Sequence, residues 1–400
     1  MPDTPSSAPD SSAPQSVAPL SHRAGSRFIA AVGALFGVSG MALANWFPRI
    51  PETRAALGLS YDQLGLALFA VGGGAMLSMP IAGWLIGRIG SFGIVRAMAV
   101  GMCLSLPLVA LASSLPALAG ALLLFGMLAG ATDVAMNAQA AHGEHRTGRV
   151  FLSMLHGVFS LGALLGAATG AGAAALGMPL DIHLGLVAIV LLATVLVANR
   201  FLLPDRGGSA AVAPAFALPH GALWWLGLIA FSALLVEGAV ADWSAVFLRD
   251  VYAAGPQAAA TGFVAFSLTM AAGRLAGDRV DGRIGSVRLL RLCGVLAAIG
   301  MGLALAGGGT WIAVFGFALV GVGNSVVFPI MIRRASRLGT MGAGAGIAAV
   351  ATAGYTGLLT GPPVIGLVAE RTGLRVARTL LVALSLAIAV LAARGRAPQS

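Results

Sequence analysis

Asp133 and Asn137 stand four residues apart in an otherwise apolar stretch, so a helix there carries an acid and an amide on one face, with Gly130 three residues earlier on the same stripe. An ionisable group at the centre of a bilayer costs about 2.5 to 3.5 kcal/mol on insertion scales, so those that persist ordinarily face a cavity or a partner. This stripe could offer an acid and an amide to a polar solute; the competing reading is a structural hydrogen bond to a neighbouring helix. Glu237 and Asp242 are five apart, about 140° around a helix, so at most one of them points at a given partner. Glu237 lies nearer the middle of its segment and is a candidate proton site if desolvation disfavours its charged form. Asp242 lies near the outer end, where it is simply hydrated in the plainer reading. Arg149, Ser153, His156 and Ser160 form a single polar stripe at spacings of four, three and four. His156 reads equally as a relay or as a hydrogen-bonded packing residue. Asn45, Asn324 and Tyr355 are expected to line a cavity, and Trp46 and Trp243 to belong to an interfacial aromatic belt. Arg88, Arg149, Arg274, Asp278 and Arg279 are expected as gating charges in the turns. Within that set Arg274, Asp278 and Arg279, with Asp281 and Arg283, should form an ion-pair network at one helix end.

The elements that hold these residues follow from composition. Of 400 residues 58% are hydrophobic and 10% charged, and the mean hydropathy is +0.92, which excludes a soluble globular domain, where charge runs near ~25%. Twelve apolar segments, at about 28–47, 63–86, 94–114, 117–140, 151–175, 183–203, 222–247, 258–277, 287–307, 309–332, 341–368 and 376–393, are each long enough to cross a bilayer. The 36 uncharged residues from Ala97 to Thr132 must be two spans, divided at Ser113–Pro116, and the 41 from Leu292 to Ile332 divide at Gly307–Gly309. Segments this long and uniformly apolar exclude a β-barrel. The expected fold is all-α, with residues 1–27 a Ser/Pro/Ala-rich disordered cytoplasmic tail that lacks the features of a signal peptide. Gly361–Pro362–Pro363 should kink the eleventh span.

Every basic residue is arginine, 24 in all. With the amino terminus placed in the cytoplasm, 18 of the 24 fall on that side, so the positive-inside rule puts both termini there. The net charge of +10 has no basic run interleaved with aromatics, so nucleic acid is not an expected partner. Cys103 and Cys293 lie far apart in apolar segments and read as core packing, with neither a disulfide nor a metal site indicated. The chain also repeats itself. Gly87–Ser91 recurs as Gly282–Ser286 at an offset of 195, with Arg96 matched by Arg291; Ala44–Trp46 resembles Ala241–Trp243, and Gly130 with Asp133 resembles Gly321 with Asn324. The halves are expected at 28–203 and 222–395, joined by a polar cytoplasmic linker over 204–221.

Twelve spans in a 6+6 repeat, a long central loop and Gly/Arg turns after spans 2 and 8 resemble the major facilitator superfamily over about residues 28–395. Trp46–Pro51, Asp133–Gln139, His156–Gly157 with Phe159–Gly162, Glu237–Ala239 with Ala241–Trp243, and Gly361–Pro363 with Gly366 further resemble the YbjJ-like bacterial inner-membrane permeases, distant relatives of the fucose permeases. The turn after span 2 departs from the superfamily pattern by lacking its acidic residue. Span 4 lacks the arginine, and span 5 the Gly-Pro motif, of proton-driven drug antiporters. The resemblance implies a secondary transporter in the bacterial inner membrane. It would move a small polar organic solute, sugar-like, with proton coupling, as a monomer in the lipid bilayer, with no cofactor and no enzymatic activity. A drug or metabolite efflux antiporter and a solute-sensing receptor that does not transport are the alternatives. An intramembrane hydrolase using Ser160, His156 and Asp133 lacks any nucleophile motif, and an ATP-binding Walker sequence is impossible without lysine. The matched pairs place spans 1, 4, 7 and 10 around one central cavity.

Overall fold

Repeated apolar runs with no water to satisfy their peptide groups must close their hydrogen bonds within each segment, and they do so as helices. The computed structural model describes residues 21–205, 218–338 and 343–394. Residues 1–20 of the expected tail, most of the linker and the last six residues lie outside this range, while residues 22–27 of the expected disordered tail are helical, the opening turns of the first helix. Twelve long helices follow one another: α1 (His22–Ala44), α2 (Tyr61–Ile89), α3 (Ser91–Ala110), α4 (Leu115–Thr147), α5 (Leu152–Ala175), α6 (Leu180–Ala198), α7 (Ala222–Tyr252), α8 (Pro256–Ile284), α9 (Ser286–Leu305), α10 (Thr310–Asn324, resuming as Val327–Arg337), α11 (Ala343–Thr372) and α12 (Thr379–Leu391). A 3-10 turn (Phe47–Arg49) and a short helix (Ile50–Leu57) link α1 to α2, and a four-residue helix (Leu374–Ala377) leads into α12. No strand occurs among the described residues. Helix α11 runs unbroken through Pro362 and Pro363.

The contacts repeat with a shift of six helices. Helix α1 packs on α5, α2 on α4, and α3 on α4 and α6; correspondingly α7 packs on α11, α8 on α10, and α9 on α10 and α12. The two halves meet along α2 with α11 and α5 with α8, which are themselves equivalent pairs. Small residues make these approaches possible. A Cβ on Gly162 or Gly40 would collide with the backbone across the α1–α5 contact, as one on Gly357 would across α7–α11. The repeated five-residue turn also has a physical reason. Gly90 and Gly285, equivalent positions in it, have φ of +84° and +80°, which only glycine adopts without strain.

Acids from other elements cap several helix starts, where four peptide N–H groups lack partners. Glu144 accepts from the N–H of Phe151 (2.6 Å) and Leu152 (2.8 Å) at the start of α5. Asp205, just beyond α6, accepts from the N–H of Ser91 and Phe92, both at 2.8 Å, and from the Ser91 hydroxyl at 2.7 Å. The acid missing from the α2–α3 turn is thus supplied from after α6. Trp46 and Trp243 are fully buried, not interfacial: Trp46 donates its indole N–H to Thr53 Oγ1 at 2.9 Å, and Trp243 packs against Tyr61 with ring centroids 6.3 Å apart.

Candidate functional site

Five helices bring ionisable and polar side chains to the region between the halves. On α4 the i, i+4 spacing holds as read: Asn137 Nδ2 donates to the Asp133 carbonyl at 2.8 Å and to its carboxylate at 3.3 Å, and both side chains are partly buried. Glu237 on α7 pairs with Arg274 on α8, Nη2 to Oε1 at 3.2 Å, with 26% and 32% of their side chains exposed. The other guanidinium nitrogen crosses between the halves and donates to Ser160 Oγ on α5 at 3.2 Å. His156, one turn before Ser160, lies within electrostatic reach of Arg274, and its ring meets Phe36 of α1 edge-on at 5.3 Å. Tyr355 on α11 completes the group: it is 38% exposed, and its phenol feels the carboxylates of both Asp133 and Glu237. Two acids, one cation, an amide, a phenol and a hydroxyl, all partly exposed, are therefore grouped from both halves.

Other expected members are placed elsewhere. Asn45 is fully buried, donating to the Met41 carbonyl at 2.9 Å and accepting from Thr169 Oγ1 at 2.7 Å, which fastens α1 to α5. Asn324, 2% exposed, donates to the Ala233 carbonyl of α7 at 3.0 Å and ends the first part of α10. Both side chains bond to neighbouring helices, Asn45 to α5 and Asn324 to α7. Asp242 is partly buried, with no side-chain hydrogen bond among the described residues. The side chain of Ser153 lies outside the described set. Ser160 donates to the backbone carbonyl of His156 at 3.2 Å, not to its ring, so no serine–histidine pair is assembled.

The turn charges separate into two groups. Arg274 belongs to the interior cluster, because α8 continues to Ile284, well past the expected end at 277. Asp278 and Asp281 both bind Arg333 of α10, at 3.0 and 2.7 Å, in place of the expected network within their own helix. Arg279, Arg149 and Arg88 are exposed; Arg88 lies over the Trp84 ring at 4.1 Å.

At the end of the molecule where α1 terminates, the halves are locked together. Arg54 pairs with Asp250 of α7 at 2.5 Å; Asp250 also accepts from Tyr61 Oη at 2.9 Å, over whose ring Arg54 lies at 4.1 Å. Glu370 of α11 accepts from the Tyr61 N–H at 2.9 Å, so one half caps a helix of the other. Phe47 packs edge-on against Phe263 of α8, centroids 5.1 Å apart. Beneath these contacts a Cβ on Gly65 would strike the Pro362 carbonyl, and one on Gly366 the Tyr61 carbonyl. Neither Tyr61 nor Glu370, nor the inward course of Arg274, is marked in the sequence, where no local spacing signals a partner on a distant helix.

Twelve helices in two repeated sets of six, eleven of the described helical stretches long and apolar enough to cross a membrane, with a polar cluster between the halves and one end closed, define a polytopic transporter fold. The chain belongs to the major facilitator superfamily, whose family model matches residues 28–342. It is 37% identical over 357 residues to an uncharacterized MFS-type transporter of Yersinia pestis, covering 88% of this chain and 92% of that protein. It is 33% identical over 370 residues to the membrane protein MosC of Rhizobium meliloti, covering 90% and 88%. Among solved structures it resembles the nucleoside transporter NupG, with TM-score 0.72, 14% identity and coverage of 91% of this chain and 97% of that one. It also resembles a bacterial homologue of the human lysosomal transporter Spinster in an inward-facing, unoccupied conformation, with TM-score 0.74, 14% identity and coverage of 93% and 97%. The protein is a multi-pass membrane transporter of this superfamily.

Proposed function

We propose that this protein moves a small, polar, sugar-like organic solute across the bacterial inner membrane by alternating access, coupled to protons through Asp133. The observation that carries the reading is the cluster of Asp133, Asn137, Glu237, Arg274 and Tyr355, drawn from both halves. A solute held among these groups touches both moving bodies, which is what alternating access requires. Glu237 has its countercharge in Arg274, whereas Asp133 has an amide and a phenol nearby but no cation paired to it among the described residues. Asp133 is thus the acid of the cluster with no fixed countercharge, and hydroxyl-rich solutes hydrogen-bond to a carboxyl in either protonation state. With both termini and the linker cytoplasmic, as the arginine distribution supports, the locked end is periplasmic and the structure is the inward-facing state. On this reading the bodies that rock are the halves expected at 28–203 and 222–395.

The test is uptake by the purified chain in proteoliposomes against a panel of neutral polyols, sugars and nucleosides, with and without an imposed pH gradient. Asp133→Asn keeps the shape and hydrogen-bonding capacity while removing titration. It should abolish gradient-driven accumulation yet leave counterflow exchange of the same solute intact. Accumulation at the wild-type level by Asp133→Asn would end the proton-coupling assignment. Loss of accumulation by Glu237→Gln with its counterflow exchange intact would then move the coupling to Glu237.

A further inference from the structure

A groove of about 510 Å³ runs along the outer, lipid-facing contact between α1 and α6, away from the polar cluster. Its floor is alanine from both helices, Ala30, Ala31, Ala34 and Ala193, and at one end Arg27 and Phe201 form its rim. The Arg27 guanidinium lies over the Phe201 ring at 6.0 Å and is exposed. Arg23, one turn before Arg27, and Arg200, beside Phe201, are also exposed at this end. Helix α1 carries no acid, and the acid of α6, Asp181, is in its first turn, at the opposite end of that helix. The groove is therefore an apolar slot beneath a rim of positive charge.

The fold does not dictate this slot. The equivalent contact in the second half, between α7 and α12, carries Trp224 and Trp225 at the same end, with Arg394 stacked over the Trp225 ring at 5.2 Å. Tryptophans stand at that end of the second half, where the first half has alanine behind Arg27.

We infer that the α1–α6 groove is a binding site for an anionic phospholipid, one acyl chain lying on the alanine floor and the phosphate facing Arg27, with Arg23 and Arg200 adding to the attraction. Shape selects the chain and charge selects the headgroup: a zwitterionic lipid fits the floor equally well but gains less at the rim. Phenylalanine under the guanidinium holds Arg27 in place at the groove mouth.

The experiment uses the full chain purified in detergent and exposed to mixed vesicles of equal phosphatidylglycerol and phosphatidylcholine, with retained lipid identified by native mass spectrometry. Wild-type protein should retain phosphatidylglycerol in preference. Arg27→Gln should lower the phosphatidylglycerol to phosphatidylcholine ratio about fivefold, the factor one surface arginine contributes. Ala30→Trp, which fills the slot from an exposed position and leaves every charge in place, should lose the retained lipid of both kinds. Arg394→Gln, in the second half, should behave as wild type. Equal retention of the two lipids by wild type overturns the proposal, as does an Ala30→Trp protein that still retains phosphatidylglycerol, because the headgroup would then bind without the groove. Thermal unfolding of each variant in phosphatidylcholine alone, expected to match wild type, separates loss of the site from loss of the fold.

Discussion

Arg274 is held from two directions, by the Glu237 carboxylate in its own half and by the Ser160 hydroxyl in the other. Removing one member leaves the other partly desolvated without a countercharge, while removing both leaves a neutral pair. Glu237→Gln should therefore destabilise the protein by about 1–2 kcal/mol, between the values for exposed and buried pairs. The double variant Glu237→Gln/Arg274→Gln should recover part of that loss. Thermal melting of the two singles and the double forms the cycle that checks it, and strict additivity would show that the pair is not coupled. The sequence reading treats Glu237 as a candidate proton site and Arg274 as a turn charge for a definite reason. The charges that begin at Arg274 lead hydropathy to end the span at 277, yet α8 continues to Ile284, so a residue read as terminal is interior. Asp133 and Asn137 were legible because their contact is local to one helix. Asn45 and Asn324 resemble their repeat partners in sequence, but a buried amide serves packing as well as binding, and only its hydrogen-bond partners decide between them.

At the level of elements, acids borrowed from elsewhere hold several helix starts. Burial alone would raise the Asp205 pKa, but hydrogen bonds from the Ser91 hydroxyl and N–H and the Phe92 N–H outweigh it and hold the carboxyl below the usual carboxylate range. A carboxylate with a lowered native pKa adds stability that is fully present above its unfolded value, about 3.9, and is lost as pH falls through the lower native one. Asp205→Asn should cost about 1 kcal/mol at neutral pH, as other helix caps do, and should flatten the acid limb of the unfolding profile below about pH 4. Hydrogen exchange at the first turn of α3 reports the same loss locally; protection unchanged in the variant would mean that the cap contributes nothing. The number and order of the spans were readable, because run length and glycine turns are local signals, but the far end of α8 and the interruption of α10 after Asn324 were not. The caps were not, since Asp205 and Ser91 are joined only when α6 returns beside α3.

For the whole molecule, the lock formed by Arg54, Asp250, Tyr61 and Glu370 favours one arrangement of the halves. Its ion pair is partly exposed and so contributes about 1 kcal/mol, enough to alter the ratio of the two states about fivefold. Asp250→Asn should shift spin-label distances across that end toward a longer population, while a label pair across the opposite end shortens. Unchanged distances in the variant would assign the lock no part in setting the balance. Below the side chains of the lock lies a different kind of barrier. At Gly65 against Pro362 and Gly366 against Tyr61, backbone touches backbone, and no rotamer stands there to swing aside. Side chains flip within nanoseconds, whereas packed helices part over microseconds to milliseconds. A seal of main chain therefore opens only when a whole half moves, so the closed end parts as rarely as the two bodies themselves and does not flicker with the side chains above it.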